Sequence, residues 1–294
     1  MLAKIFIWNP IEKPIKNPFI SCIRCTINLL SIWRLTMTPQ HRYLARVLEK
    51  QWMDNRNSVR LKSIRDQIRS DLKPINRYNP RIYNGGSYGK KTMIREAFDL
   101  DLVIYFPHTD SRSLKEMYTS VYDSLEHAGY KMTPSQVALT LKPPNNPFPK
   151  DFHVDVVTGK ALDERFDYAY IYDILKESRI RTNLKMHIDN VCEVRDVIKL
   201  MKLWIRRHSL NWQTFAMEQT VVRALKNQNT RDLGQCMENV LIYIKSSISQ
   251  LHLIDPANSN DHIEIPKKIR LAIEQKANHS FKALQNGDWE SIVW

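Results

Sequence analysis

A glycine-rich turn followed by an alternating strand is the feature that most constrains how this chain can fold. Residues 85–92 read Gly-Gly-Ser-Tyr-Gly-Lys-Lys-Thr, and residues 98–106 read Phe-Asp-Leu-Asp-Leu-Val-Ile-Tyr-Phe. Gly85 and Gly86 allow the backbone to approach an anion closely, and the N–H groups of a helix that begins there can bind phosphate. We therefore predict a turn that enters a short helix and holds a phosphate group.

The strand at 98–106 carries two carboxylates on one of its faces. Side chains alternate along a strand, so Asp99 and Asp101 point to one side while Leu100 and Leu102 point to the other. Neighbouring carboxylates repel each other, and a divalent cation between them removes the repulsion. A phosphate-binding turn followed closely by a metal-binding carboxylate pair indicates phosphoryl-group chemistry.

A third carboxylate lies on a second predicted strand, because residues 152–157 read Phe-His-Val-Asp-Val-Val. Three carboxylates on two strands are the side-chain set of two-metal nucleotidyl transfer. Asp99 and Asp101 would bridge two Mg²⁺ or Mn²⁺ ions, and Asp155 would complete the site of the ion that activates the nucleophile. His153 shares a face with Asp155, and a structural role is the simpler interpretation of that histidine.

The rest of the composition is that of an ordinary globular protein. The 294 residues are 43% hydrophobic and include only seven glycines, which favours a helix-rich fold of one large or two moderate domains. No stretch reaches the roughly 20 apolar residues of a membrane span. Cys22 and Cys25 form a C-x-x-C pair, but Cys192 and Cys236 are far away, so a reduced cytoplasmic protein without zinc is expected.

The net charge of +13 is concentrated in the first third of the chain. Residues 41–83 carry eleven basic and four acidic side chains, which would attract a polyanion. A nucleic-acid or protein activator on the basic helix 41–73 is one interpretation, and a solvated helix face is an equally good one.

Three regions follow from the pattern along the chain. Residues 1–36 contain three prolines and no clear period, and Met37 is predicted to be the physiological start. Residues 39–73 predict one long amphipathic helix or a kinked pair, with Ser58 as the cap of its second part. Strands with a helix at 113–128 among them are predicted up to about residue 165, and almost all of the remainder is predicted to be helical.

Two groups of residues carry a resemblance to the DNA polymerase β-like nucleotidyltransferase superfamily, and within it to the oligoadenylate synthetase and cGAS/DncV-like branch. The first has the spacing of the branch's glycine-serine turn and acid triad. The second, Leu200–Trp204, resembles its Leu-Leu-Lys-x-Trp helix. Residues 182–187 resemble a Thr-Asn-Pro segment, although Leu184 replaces the proline. The residues of the first group are Gly86, Ser87, Thr92, Asp99, Asp101 and Asp155.

The resemblance implies an α+β fold: a mixed sheet with helices and a long N-terminal spine helix, followed by a C-terminal all-helical lobe. It implies a core at 37–165 and a lobe at 166–294 that closes the nucleotide cleft. Gly86, Ser87 and Thr92 would bind the nucleotide, and Lys202 would clamp its triphosphate. Tyr168, Tyr170 and Tyr172 are candidates for stacking on the base, or pack at the lobe junction.

The activity implied is the joining of NTPs, with ATP as a substrate, into a cyclic or short linear oligonucleotide signal. Such a product would be bound by a downstream effector in anti-phage signalling. A terminal nucleotidyltransferase that acts on RNA, or a protein AMP-transferase, is the alternative within the superfamily. A nucleic-acid sensor that uses the basic helix 41–73 is the alternative from a different functional class.

Overall fold

We describe a computed structural model of the chain, which covers residues 37–143, 146–149 and 151–294. Residues Thr38–Trp294 form one compact unit. The predicted extension at 1–36 and the Cys22–Cys25 pair lie outside the described residues. The start at Met37 and the division of the chain near residue 165 therefore stay predictions.

The predicted spine is a pair of helices rather than one long helix. Helix α1 spans Pro39–Glu49, and Thr38 caps it by accepting a hydrogen bond from the His41 N–H at 3.1 Å. Helix α2 spans Asn55–Asp71. The prediction that Ser58 caps the second helix is wrong, because Asp54 accepts the Asn57 N–H at 2.7 Å and starts the helix one turn earlier.

The assignment of this cap leads to a stability prediction. Asp54→Ala should lower the free energy of unfolding by about 1 kcal/mol, because it removes the acceptor for an otherwise unpaired N–H. Ser58→Ala is the matched control, since Ser58 lies inside α2 and alanine there is neutral or slightly stabilising. Urea denaturation of both variants measures the difference, and an equal loss in the two would contradict the cap.

Seven strands form one mixed sheet. Strands β1 and β2 pair antiparallel, β2 and β5 pair parallel, and β5 pairs antiparallel with both β4 and β6. Strands β3 and β7 pair with β4 and β6, respectively. The strands are β1 (Arg81–Asn84), β2 (Leu100–Phe106), β3 (Met132–Pro134), β4 (Ala138–Leu141), β5 (Val154–Ala161), β6 (Ala169–Asp173) and β7 (Ser178–Thr182).

Helices cover the sheet and make up most of the C-terminal part. They are α3 (Gly86–Lys90), α4 (Leu114–His127), α5 (Leu184–Asp189), α6 (Arg195–Arg207), α7 (Thr214–Ala224), α8 (Leu233–Ser247) and α9 (Lys267–Gln285). Within the described ranges, no helix is long and apolar enough to cross a membrane.

The prediction of helix from residue 165 onward is wrong at two places. Strands β6 and β7 continue the sheet, and a hairpin of β8 (Leu253–Asp255) and β9 (Asn258–Ile263) lies between α8 and α9. The C-terminal lobe is thus mainly helical rather than all-helical. Residues 258–263 are all polar apart from the last, so they lack the apolar alternation by which a half-buried strand is recognised.

Two of the apolar clusters in the described residues hold the sheet and the C-terminal helices in place. The even-numbered residues of β2 from Leu100 to Phe106 are fully buried on the sheet face that packs on α2 and α4. The other cluster surrounds Trp204 of α6, whose indole N–H donates to Ser280 at 2.9 Å. The odd-numbered carboxylates of β2 therefore point to the opposite face of the sheet from α4.

Candidate active site

The glycine turn lies directly against a carboxylate. The N–H of Gly85 donates to the backbone oxygen of Asp101 at 2.8 Å, and helix α3 begins at Gly86. Gly86 has a φ of +48°, and a Cβ there would lie 1.6 Å from Oδ2 of Asp101. A side chain here would be strained by the positive φ and would displace the Asp101 carboxylate, so the position favours glycine.

The three predicted carboxylates come from neighbouring strands. The parallel register of β2 and β5 places Asp101 opposite Asp155, and Asp99 immediately precedes β2. Asp155 accepts a hydrogen bond from the Thr140 hydroxyl of β4 at 2.6 Å. The side chains of Asp99 and Asp155 keep 43% and 26% of their exposure, so both remain open to a ligand.

His153 lies between two of these carboxylates, although the sequence suggested a structural histidine. Its Nδ1 is 3.0 Å from Asp99 and 2.9 Å from the Asp151 carbonyl, and its Nε2 is 3.6 Å from Asp155. Burial lowers the pKa of His153, but the Asp151 carbonyl and the nearby carboxylates outweigh it and raise the pKa overall. A protonated imidazole here would partly neutralise the acids.

Burial and mutual repulsion perturb the pKa values of the carboxyl groups. Desolvation, followed by the charges of Asp155 and Asp99, raises the pKa of Asp101 to about 6. Desolvation also raises the pKa of Asp99, with His153 opposing it. The native state therefore binds a proton at Asp101 more tightly than the unfolded chain does, and it loses stability as the pH rises through about 6.

This repulsion gives a pH-dependent response to divalent cations. We expect MgCl₂ to raise the melting temperature by roughly 2–4 °C at pH 7.5, where the carboxylates are ionised, and much less at pH 5. Thermal unfolding at matched ionic strength measures this, with CaCl₂ and NaCl as comparisons. An equal shift in Asp101→Asn, or an equal shift at both pH values, would place the cation elsewhere.

Lys202 of α6 is aimed at the same cleft. Its ammonium donates to the Thr92 carbonyl at 3.0 Å and to the Thr92 hydroxyl at 3.3 Å. Burial lowers its pKa, and Glu218 opposes that effect from 3.9 Å. Thr92 is itself fully buried, is not among the residues that line the cavity, and contacts Lys202; its role in nucleotide binding stays a prediction.

Glu218 joins two lysines on the wall of the cleft. Its carboxylate, 2% exposed, accepts a hydrogen bond from Lys90 at 2.6 Å. Lys90 also lies 5.2 Å from the Phe215 ring centroid. On sequence alone, Lys90 could be a phosphate contact or a solvated lysine, and Glu218 would be expected to be exposed, as a glutamate on an amphipathic helix usually is.

These groups enclose a cavity of about 390 Å³. The predicted residues Gly86, Ser87, Asp99, Asp101, Asp155 and Lys202 line it. Aromatic side chains from Phe98, Trp212 and Phe215 complete its wall. The tyrosines at 168, 170 and 172 are not among the lining residues; Tyr170 and Tyr172 lie on strand β6, and Tyr168 immediately precedes it.

The donor set fits a hard divalent cation by its chemistry. All three candidate ligands are carboxylates, the oxygen donors that Mg²⁺ prefers, and a cation would offset both the burial and the repulsion from Asp155 and Asp99 that raise the pKa of Asp101. Among the residues that the structure describes, no three His, Cys, Asp or Glu side chains are already gathered into a metal-binding group. Asp99, Asp101 and Asp155 would have to converge on the ion.

No family model and no curated protein sequence matches this chain. Its structure is similar to CdnC of Escherichia coli MS115-1 solved with ATP, with a TM-score of 0.67 and 15% identity over 86% of this chain and 96% of that one. It is similar to the Vibrio cholerae DncV cyclic AMP-GMP synthase with a linear intermediate, at a TM-score of 0.66 and 16% identity over 81% and 87% of the two chains. The chain has the cGAS/DncV-like nucleotidyltransferase fold.

A third structure of this fold, the CD-NTase CdnG of Bradyrhizobium diazoefficiens with GTP, has a TM-score of 0.68 at 10% identity and covers 86% of this chain and 93% of that chain. The nucleotidyltransferase fold confirms the predicted α+β class, with its mixed sheet and mainly helical C-terminal lobe. In this fold Asp101 and Asp155 lie on β2 and β5, Asp99 immediately precedes β2, and the phosphate-binding candidates lie on α3 and α6.

Proposed function

We propose that this protein is a metal-dependent nucleotidyltransferase that joins NTPs into a cyclic or short linear oligonucleotide and releases pyrophosphate. One observation carries the proposal: three carboxylates on paired parallel strands face Ser87 and Lys202 across a single cavity. Structures of the same fold hold ATP or GTP, which supports nucleoside triphosphates as substrates.

Some residues of the cleft would bind the triphosphate, and others would hold the metal ions that act on the acceptor hydroxyl. Bound Mg²⁺ or Mn²⁺ would supply Lewis-acid activation of that hydroxyl and neutralise charge on the phosphates. Asp99, Asp101 and Asp155 would hold the two ions. The Ser87 hydroxyl and the Gly86 backbone would orient the β- and γ-phosphates, and Lys202 would neutralise their charge.

Lys90 and Glu218 set the charge balance of this phosphate site. Glu218 lies within 3.9 Å of both ammonium groups, so its negative charge offsets their mutual repulsion on the cavity wall. An incoming triphosphate would compete with Glu218 for both lysines. The two lysines on one side, and the metal ions that the three acids would hold on the other, would present positive charge to a nucleoside triphosphate.

Replacing the Thr92 hydroxyl with a methyl group tests whether Thr92 positions the Lys202 ammonium. Thr92→Val removes one of the two acceptors that hold its ammonium, so we expect KM for ATP to rise about 2- to 10-fold with a smaller change in kcat. Thr220→Val is the control, because that buried hydroxyl donates only to the Ala216 carbonyl of its own helix. Steady-state pyrophosphate release provides both constants.

The biological setting follows as part of the proposal. The product would act in the cytoplasm as a second messenger for a downstream effector, in the manner of anti-phage signalling systems. An activator on α2 is compatible with the exposed positions of Arg60 and Lys62. Pyrophosphate release that is indifferent to added DNA and RNA would remove the nucleic-acid activator from this scheme.

The primary experiment uses radiolabelled NTPs. Purified protein with α-labelled ATP, GTP, CTP and UTP in Mg²⁺ is expected to form small labelled products and pyrophosphate. Added RNA should not become labelled. Label on RNA would instead support a terminal nucleotidyltransferase, and label on protein an AMP-transferase.

A further inference from the structure

A face of the sheet away from the active site alternates tyrosine with basic side chains. We call it the Tyr-Arg face and define it by Lys160, Tyr168, Tyr170, Arg179 and Arg181. Cross-strand register brings these residues together, because Tyr170 pairs with Lys160 on one side and with Arg181 on the other.

The Tyr-Arg face points to the opposite side of the sheet from the catalytic carboxylates. Side chains alternate along β5, so Lys160 and Asp155 point to opposite faces. Tyr172, on the same side of β6 as Tyr170, contacts Tyr118 of α4 with ring centroids 5.4 Å apart. No residue that lines the active-site cavity lines the cavity beside the Tyr-Arg face.

The two arginines are held by aromatic rings rather than by acids. The Arg179 guanidinium lies 4.4 Å from the Tyr170 ring centroid, and that of Arg181 lies 4.4 Å from the Tyr168 centroid. Within the described part of the chain, neither guanidinium forms an ion pair or a hydrogen bond. Both arginines are exposed, so all of their N–H donors remain available to an anion.

A cavity of about 520 Å³ adjoins Arg179, between the strands and the start of α4. Its basic lining side chains are Arg112, Lys115, Lys160 and Arg179. The acids nearby are largely engaged: Asp110 pairs with Arg112, and Glu177 pairs with Lys115. Lys160 donates to the Asp110 carbonyl at 2.5 Å.

We propose that the Tyr-Arg face binds single-stranded nucleic acid. Unpaired bases stack on aromatic rings and on arginine guanidinium planes, and phosphates bind arginine N–H donors, which is the chemistry this face presents. A duplex offers its phosphates but keeps its bases stacked inside, so it uses only half of that chemistry. The surface differs from the basic helix α2 and does not depend on the proposed catalytic function.

The test is fluorescence anisotropy of the whole protein with a labelled single-stranded oligo(U) of about twelve nucleotides. Arg179→Gln with Arg181→Gln should weaken binding at least tenfold and reduce the slope of log Kd against log salt by about 1.4, since each phosphate contact contributes roughly 0.7. Arg179→Lys with Arg181→Lys should retain the salt slope but lose affinity, because lysine lacks the planar stacking group.

A matched pair on α2 provides the control. Arg60→Gln with Lys62→Gln removes the same charge from exposed positions and should change the affinity less than twofold. Melting temperatures identify any variant that fails to fold. Tyr170→Leu is a second test of the face that leaves both arginines in place, and it should weaken binding severalfold. The proposal is overturned if the α2 pair abolishes binding, if a duplex of equal length binds as tightly, or if free ATP alone occupies the site.

Discussion

Replacing Asp99 and Asp101 together with asparagine should reduce pyrophosphate release by roughly a thousandfold or more, because both residues would bridge the two metal ions. Asparagine keeps the shape of each side chain and removes its charge. The same change should stabilise the protein without metal at pH 7.5, since burial and repulsion raise the pKa of both carboxyl groups. Activity and stability are therefore expected to move in opposite directions.

Because activity should fall while stability rises, the double variant distinguishes a loss of catalysis from a loss of folding. Rates of pyrophosphate release and melting temperatures are measured on the same preparations, with and without MgCl₂. Asp163→Asn with Asp167→Asn is the matched control, because both acids lie on the 162–168 loop outside the cavity. A double mutant at 99 and 101 that retains activity would show that these carboxylates do not hold the reactive metals.

Gly86→Ala should abolish most of the activity as well. The added methyl group would lie 1.6 Å from Oδ2 of Asp101, so either the turn or the carboxylate must move. Because both belong to the proposed site, we expect a loss of at least about 100-fold, the range in which misplacement of reacting groups falls. Pyrophosphate release under saturating ATP and Mg²⁺ measures it.

Gly287→Ala separates this steric effect from backbone strain. Gly287 has a φ of +70°, and a Cβ there meets no atom within 4 Å. Both variants carry the penalty of about 1–2 kcal/mol for a left-handed alanine, but only Gly86→Ala disturbs the carboxylate. Equal activity in the two variants would mean that the turn at 86 is not part of the active site.

The sequence predicted the three carboxylates and the glycine turn better than it predicted Lys90 and Glu218 on the cavity wall. The alternation of β2 and β5 predicted the faces of Asp99, Asp101 and Asp155, and the resemblance grouped these acids with Ser87. The parallel pairing of β2 with β5, which joins strands that are distant in sequence, was not predicted. Period-two patterns indicate faces but not partners.

Contacts between distant helices could not be predicted. Glu218 belongs to an amphipathic helix on which a charge is usually solvated, and only the tertiary fold buries it beside Lys90. Thr92 matched the spacing of the resemblance, but its hydroxyl contacts Lys202, on an element 110 positions away. Likewise, the all-polar run of β9 gave no strand signal, because its pairing with β8 depends on backbone hydrogen bonds.

Mass spectrometry of the products formed from an equimolar mixture of the four NTPs with Mg²⁺ tests the central claim most directly. The proposed function predicts phosphatase-resistant cyclic oligonucleotides or short 5′-triphosphate oligomers, formed with stoichiometric pyrophosphate and absent from the Asp99→Asn, Asp101→Asn protein. Intact NTPs after incubation with candidate activators, or products that persist in that double mutant, would contradict it.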